Sequence, residues 1–156
     1  MLPDWQSFES QRLILALDYE DEEFTQRGTA FGAFDPNQDQ SMDNTGYVAE
    51  FLTRPLPQLD LSASVRYDDN SDFDDVTTYR FTSSYLFTAS ATRLRASYGE
   101  GQKSPTFIER FGFFPDQFFG NADLKPEKNK GFDVGVQQQL FIDRASISVT
   151  YFSERL

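Results

Sequence analysis

The sequence has no cysteine and no histidine, and each absence removes a class of function. Without cysteine there is no disulfide, thiolate metal site or cysteine nucleophile. Without histidine the commonest general base and metal ligand are missing. No other catalytic set converges in the sequence, so no enzymatic activity is expected.

Basic residues are also scarce, since 25 Asp and Glu oppose 14 Lys and Arg and give a formal net charge of −11. Nucleic-acid binding requires a basic face and is therefore not expected. No stretch approaches the roughly 20 apolar residues of a membrane-spanning helix, but a barrel strand needs only about 9–11 alternating residues. Residues 1–5 show neither the basic nor the apolar region of a signal peptide, so we expect a mature chain or a fragment.

What the sequence does contain is aromatic residues, at 16%, and apolar–polar alternation with a period of two. Aromatic rings in such numbers suit a lipid–water boundary. The alternation predicts an all-β fold, an antiparallel up-and-down meander of about seven strands. The predicted strands cover residues 12–24, 44–54, 59–67, 76–87, 92–98, 131–140 and 145–153.

The predicted connections alternate in length. The long ones cover residues 25–43, 68–75 and 99–129, and short turns separate the other strands. Short periplasmic turns and long extracellular loops are typical of outer-membrane barrels. A soluble β-sandwich explains the alternation equally well, but it does not explain the alternating loop lengths.

The two faces of the predicted strands differ sharply. One face is apolar and carries an aromatic residue near the long-loop end of every strand, as an interfacial girdle requires. These residues are Tyr19, Tyr47, Tyr67, Tyr79, Tyr98, Phe132 and Tyr151. The opposite face holds the charges, which are Arg12, Asp18, Glu20, Glu50, Arg54, Asp60, Arg66, Arg80, Arg93, Arg95, Asp133 and Glu154. One face therefore suits lipid and the other a hydrated lumen.

Two elements in the last long loop resemble motifs of TonB-dependent outer-membrane receptors. The first is Lys103-Ser104-Pro105-Thr106, where the family commonly has Lys-Ala-Pro-Thr. The second is Gly120-Asn121-Ala122-Asp123-Leu124-Lys125-Pro126-Glu127, where Ala122 replaces the usual proline. The resemblance extends over nearly all of the chain from about Leu13 onward, and the second element is highly specific.

The resemblance implies that residues 1–156 are part of a 22-stranded transmembrane β-barrel, without its plug domain and C-terminal strands. It implies TonB-dependent uptake of a metal chelate or vitamin, such as siderophore-bound iron or cobalamin, across the outer membrane of a Gram-negative cell. We expect this fragment alone not to be competent for transport. The implied partners are outer-membrane lipid, the remaining barrel and plug, an energy-transducing protein of the TonB type, and the solute. A passive porin or an adhesin barrel is the alternative membrane function.

The motif residues are expected to close the long loop rather than to bind substrate, although substrate contact remains the alternative. Pro105 and Pro126 restrict the backbone and favour extended conformations before them. Gly120 and Asn121 permit the positive φ that a tight turn can need. Glu127 is predicted to form a salt bridge or a cap near the start of the next strand.

Two clusters are candidate ligand sites. Five aspartates crowd one predicted loop and could ligate Ca²⁺, which takes six to eight oxygen ligands, or could form a solvated acidic loop. They are Asp68, Asp69, Asp72, Asp74 and Asp75. No other cofactor is expected. Six phenylalanines in the last long loop could contact an apolar ligand or could pack together to hold the loop. They are Phe107, Phe111, Phe113, Phe114, Phe118 and Phe119.

Overall fold

The computed structural model describes residues 11–30, 32, 35–112, 120–141 and 144–156. They form one antiparallel sheet in which the strand order equals the sequence order, so the predicted meander is confirmed. The strands are β1 (Gln11–Gln26), β2 (Gln38–Leu56), β3 (Leu59–Asn70), β4 (Val76–Phe87), β5 (Thr92–Lys103), β6 (Glu127–Leu140) and β7 (Ala145–Arg155). A short helix, α1 (Phe107–Phe111), lies between β5 and β6. Within the part of the chain described here, no helix has the length and apolar character needed to cross a membrane.

Several strands extend further toward the long-loop end than the alternation predicts. β2 begins at Gln38, which pairs with Gln26, and β6 begins at Glu127, which pairs with Lys103. The predicted loop boundaries at these ends are therefore wrong. The apolar–polar pattern marks only the part of a strand that has one face in lipid, whereas backbone pairing continues where both faces meet water.

The apolar face of the sheet, called the outer face below, is exposed along its length. Leu15 is 72% exposed and Val149 is 69% exposed. Among the described residues, Val76 is the only buried hydrophobic side chain. A soluble sandwich would cover these apolar rows with a second sheet, so that alternative is wrong. The apolar rows have the exposure expected of a surface that faces lipid.

The predicted aromatic row runs across the outer face. Tyr47 lies opposite Tyr67 in the β2–β3 register, and their ring centroids are 6.2 Å apart. Tyr98 lies opposite Phe132, whose ring is 6.0 Å from that of Tyr151. The row is staggered rather than straight, because Tyr98 pairs with Phe81 on its other side. Stagger of this kind accompanies the strand tilt of a barrel wall.

The two outermost strands, β1 and β7, are paired on one side only within the described residues. Their other backbone edges carry unpaired N–H and C=O groups, which must be satisfied where a sheet lies in hydrocarbon. The sheet thus has the form of a wall segment with two edges that neighbouring strands can continue.

Candidate functional site

Between β5 and β6 the structure describes residues 104–112 and 120–126, which are called the strap below and which include α1. A capping box fixes the start of this helix. Thr106 Oγ1 accepts the N–H of Glu109 at 3.3 Å, and the Glu109 carboxylate accepts the N–H of Thr106 at 2.8 Å. Lys103 Nζ lies 3.4 Å from the same carboxylate. Thr106 and Lys103 of the first motif therefore help to form the start of a helix, which the sequence analysis did not predict.

Arg110 holds the strap to the β3–β4 loop. Its side chain is only 6% exposed, and Nη1 lies 3.1 Å from Asp72 Oδ1. The same guanidinium also donates to the carbonyl oxygens of Asp72 and Ala122 at 3.3 and 3.4 Å. Sequence reasoning missed this residue. The one available signal was a cation among the apolar residues Phe107, Ile108 and Phe111 of an otherwise aromatic segment.

The second motif element packs its backbone directly on α1. A Cβ on Gly120 would collide with the carbonyl group of Arg110, so this position requires glycine for close approach. Asn121 then donates its N–H to Glu109 O at 2.9 Å, and its side chain accepts the N–H of Asp123 at 3.0 Å. Positive φ among the glycines is confined to Gly32 and Gly112 in the described residues. The turn forms, since Leu124 donates its N–H to Asn121 O at 3.1 Å, but neither Gly120 nor Asn121 uses the positive φ that it permits. Steric contact is therefore the reason for the glycine.

The end of the strap returns the chain to the sheet. Lys125 Nζ lies 2.6 Å from Asp74 Oδ2, and both side chains are exposed. Leu124 and Glu127 line a cavity of about 110 Å³ together with Lys103 and Pro105. Pro126 precedes the first residue of β6, Glu127, whose Cα is paired with that of Lys103. The motif residues thus surround the base of the strap.

The strap also reaches the β1–β2 hairpin. Phe107 stacks on Phe24 of β1 with a centroid distance of 5.5 Å and an interplanar angle of 9°, and Phe111 lies 6.3 Å beyond Phe107. Gln38 Nε2 donates to Gly112 O at 3.2 Å. These contacts favour the loop-holding interpretation of Phe107 and Phe111. Four further candidates, Phe113, Phe114, Phe118 and Phe119, lie outside the described residues, and ligand contact by any of the six stays a prediction.

The five aspartates proposed for Ca²⁺ are not gathered around one point. Asp68 belongs to β3, is 3% exposed and accepts hydrogen bonds from Arg66, Asn44 and Gln102. Asp72 and Asp74 bind Arg110 and Lys125, and Asp75 accepts the Tyr67 hydroxyl at 2.6 Å. Asp69 pairs with Thr45 in the strand register. No group of three or more acidic, His or Cys side chains suited to a metal ion occurs in the described ranges, and the calcium site stays a prediction.

Hydrogen bonds and an ion pair shift the pKa values of three side chains in or beside the strap. The N–H of Thr106 stabilises the Glu109 carboxylate and lowers its pKa below the ordinary range. The hydrogen bond from Lys125 lowers the pKa of Asp74, and the same contact raises the pKa of Lys125. All three groups are therefore charged at neutral pH, which maintains the contacts of the strap.

The face opposite the apolar rows, called the inner face below, contains a depression of about 760 Å³. Four arginines line it together with short hydroxyl side chains such as Thr82. The arginines are Arg12, Arg54, Arg80 and Arg95. Predicting this group requires the register across five strands, which alternation within single strands does not give.

The arginines of the depression differ in how well they are neutralised. Arg54 is paired with Asp60 at 2.6 Å. Arg95 has a single hydroxyl partner, Ser148, at 3.3 Å. Arg12 and Arg80 form neither an ion pair nor a hydrogen bond with any residue in the described ranges.

Comparisons with known proteins agree with this geometry. The sequence matches the family described as TonB dependent receptor-like, beta-barrel, over residues 4–156. It is 32% identical over 94 residues to the vitamin B12 transporter BtuB of Photobacterium profundum, covering 60% of this chain and 14% of that transporter. It is 27% identical over 147 residues to the vitamin B12 transporter BtuB of Vibrio vulnificus, covering 94% of this chain and 22% of that one.

Solved structures share the fold at low sequence identity. The siderophore receptor PirA from Pseudomonas aeruginosa superposes with a TM-score of 0.75 at 18% identity, covering 92% of this chain and 28% of PirA. The copper transporter OprC gives a TM-score of 0.68 at 18% identity, covering 85% of this chain and 26% of OprC. The chain spans between 14% and 22% of the length of the two vitamin B12 transporters.

Proposed function

We propose, on the premise that this chain belongs to the TonB-dependent receptor-like β-barrel family, that it forms seven strands of an outer-membrane uptake receptor. The observation that carries the proposal is the contrast between the two faces of one sheet. The outer face is apolar, exposed and bordered by aromatic rings, whereas the inner face is charged and hydroxyl-rich. Such a wall separates lipid from a hydrated lumen.

The solute is a metal chelate or vitamin, and cobalamin is the first candidate. The support comes from sequence, since the two vitamin B12 transporters are 27% and 32% identical to this chain. Iron–siderophore complexes are the second candidate, because PirA has the same fold, although identity of 18% supports the fold alone.

The strap favours controlled uptake at the long-loop end of the barrel over passage through an open pore. It lies at the long-loop end and contacts the β1–β2 hairpin through Phe24 and Gln38, and the β3–β4 loop through Asp72. A solute that enters from this end meets the strap before the inner face. In this proposal the remaining strands, a plug and an energy-transducing protein of the TonB type complete the receptor in the outer membrane.

The test is uptake by the complete receptor. The gene that encodes this chain, with its natural flanking sequence, is expressed in a Gram-negative strain that lacks its own cobalamin receptor. We expect uptake of radiolabelled cobalamin that disappears when TonB is deleted. Uptake that persists without TonB would indicate a passive barrel, and TonB-dependent uptake of ferric siderophore alone would replace cobalamin by the second candidate.

A further inference from the structure

We infer that three segments at the long-loop end of the wall form one rigid unit, which stays in place while solute is taken up. The segments are the strap, the β3–β4 loop (residues 71–75) and the long-loop ends of β1 and β2, and together they are called the collar below. The inference rests on the proposed function and deepens it, because it assigns the strap the role of a fixed border rather than of a lid.

Arg110 forms the joint between the strap and the β3–β4 loop. Its guanidinium lies 3.1 Å from Asp72 Oδ1, and it also donates to the carbonyl oxygens of Asp72 and Ala122. The side chain is only 6% exposed, so water has little access to it. Hydrogen bonds to a charged group contribute more than those between neutral groups. Lifting the strap from this loop would break both contacts with Asp72 in one step, which opposes the movement.

Two contacts join the strap to the β1–β2 hairpin, one at each end of α1. At the start of the helix, Phe107 stacks on Phe24 with ring centroids 5.5 Å apart. After its last residue, Gly112 O accepts from Gln38 Nε2 at 3.2 Å. The β1–β2 ladder continues as far as the pair of Gln26 and Gln38, so both contacts are made to paired strands. The helix is therefore attached at both ends to one piece of sheet.

The returning part of the strap moves with α1. The backbone of Gly120 lies so close to the carbonyl group of Arg110 that a Cβ would collide with it. The N–H of Asn121 donates to Glu109 O at 2.9 Å. A lid needs hinge residues that change their backbone angles as it opens. Such a change at residues 120 and 121 is opposed by both contacts.

The β3–β4 loop is itself bonded to β2, which closes a ring of contacts. The N–H of Ser71 donates to Asp43 O at 3.0 Å, and the N–H of Asp43 donates to Ser71 Oγ at 3.0 Å. The ring runs from the strap through Asp72 to the loop, from the loop through Asp43 to β2, and back to the strap through Gln38. A member of the ring can move away only when two joints open together, and segments coupled in this way open as a cooperative unit.

The collar sets a fixed boundary for the solute. In the proposed receptor the solute passes beside the collar, and closure over a bound solute is left to loops of the remaining strands. Uptake should therefore not depend on whether the collar can open.

The experiment links the collar covalently in the complete receptor. The chain has no cysteine of its own, so pairs of cysteines can be introduced at chosen positions. Asp74→Cys with Lys125→Cys joins the strap to the β3–β4 loop at side chains that are exposed and 2.6 Å apart. Phe24→Cys with Phe107→Cys joins the strap to β1. A short bis-thiosulfonate reagent links the two thiols through disulfides, and dithiothreitol removes it.

Uptake of radiolabelled cobalamin and of ferric siderophore is measured in cells with the linked and the reduced receptor. We expect each linked receptor to transport within about twofold of its rate after reduction, because a segment that does not move limits no step. The matched controls are the single-cysteine variants carrying the same reagent, which report the effect of modification without the link. A linked receptor about tenfold or more slower than these controls, with recovery on reduction, would show that the collar must open and would overturn the inference. Heat-modifiable gel mobility shows that each variant forms its barrel.

Hydrogen exchange tests the collar without any solute. Arg110→Met breaks the ring at the β3–β4 loop, so it should raise the exchange rates of the Ser71 and Asn121 amides by factors that agree within about threefold. Lys125→Gln is the control, because it removes an exposed ion pair and should change both rates less than about twofold. An unchanged rate at Ser71 in Arg110→Met would mean that the loop opens independently of the strap, and it would also overturn the inference.

The proposed function fails separately. If the reduced receptors take up neither cobalamin nor ferric siderophore in a TonB-dependent manner, the proposed uptake is wrong. The exchange rates of the Ser71 and Asn121 amides still decide in that case whether the collar is one unit.

Discussion

Arg110 is the residue on which the strap depends most, because it is buried and satisfies three oxygen acceptors from two different loops. Replacing it with Met preserves much of its length and removes every donor. We expect the strap to lose about 1.5–3 kcal/mol of local stability, since Asp72 and the carbonyl of Ala122 lose their partner. Hydrogen exchange of the amides of residues 120–124 in the complete receptor measures this change.

Asp74→Asn is the control for Arg110→Met. It removes the partner of Lys125 in an ion pair whose side chains are 76% and 72% exposed. Exposed pairs contribute little, so protection of the same amides should barely change. Equal loss of protection in both variants would show that Arg110 has no special role.

Position 120 leaves no room for a side chain. A Cβ at this position meets the backbone of Arg110 and Phe111, which cannot move without displacing α1. Gly120→Ala should therefore expose the strap to limited proteolysis. Gly131→Ala is the comparison, because its nearest neighbour, Ser153 O, would be 3.4 Å away. Resistance of Gly120→Ala to the protease, at the level of Gly131→Ala, would contradict the steric argument.

Acid should loosen the strap through Glu109. The pKa of Glu109 is lowered in the folded chain, so its carboxylate stabilises the strap at pH values above its ordinary range near 4. This contribution is lost as the pH falls through the lowered pKa of Glu109. We expect the exchange protection of the Asn121 amide, corrected for intrinsic rates, to fall below about pH 4. Glu109→Gln should weaken the pH dependence, and an unchanged profile would argue against the carboxylate.

At the scale of the strand, the two faces are not interchangeable. Ala63 and Ser64 are adjacent on β3 but point to opposite faces, and Ala63 pairs with Phe51 and Phe81 in the outer rows. Arginine on the lipid side near the bilayer midplane is destabilising by about 2–4 kcal/mol, whereas a lumen position tolerates it. Ala63→Arg should reduce the yield of assembled receptor far more than Ser64→Arg does. Heat-modifiable gel mobility measures the folded fraction, and equal yields would contradict the assignment of faces.

The strands could be predicted where lipid imposes a pattern, and less well beyond it. β4 agrees with its predicted bounds of 76–87, because a short turn ends it on one side and the acidic residues 68–75 precede it. β2 begins at Gln38 within a polar segment that carries no apolar alternation. Pairing there is set by the continuing ladder with β1, which no local signal encodes.

The candidate site was predictable in its motif residues and not in its contacts. The resemblance to the family motif identified Thr106 and Gly120, but turn chemistry suggested positive φ as the reason for a glycine that close packing requires. Arg110 and Asp72 are 38 positions apart in sequence, and the four arginines around the inner-face depression come from four different strands. Such groupings follow from register and loop packing and are absent from the periodicity of any single segment.

For the whole molecule, the edges of β1 and β7 decide how the chain behaves alone. Both present unpaired backbone groups, and the outer face exposes residues such as Leu15 and Val149. Such edges and surfaces associate in water. We expect the isolated 156-residue chain to aggregate without detergent. Sedimentation velocity measures the size of the species that it forms. A monomer that unfolds cooperatively in denaturant would contradict this expectation.

The meander also determines the order in which the structure can form. Every strand pairs with its neighbour in sequence, so each hairpin closes a short loop and loses little chain entropy in doing so. The strap is different, because its contact between Gly112 and Gln38 spans 74 positions and that between Arg110 and Asp72 spans 38. These two hydrogen bonds cannot form until β1 to β5 have paired and brought the donors close to their acceptors. The strap therefore forms its contacts with Gln38 and Asp72 late in folding. Once these contacts are present, the strands beneath the strap have already paired.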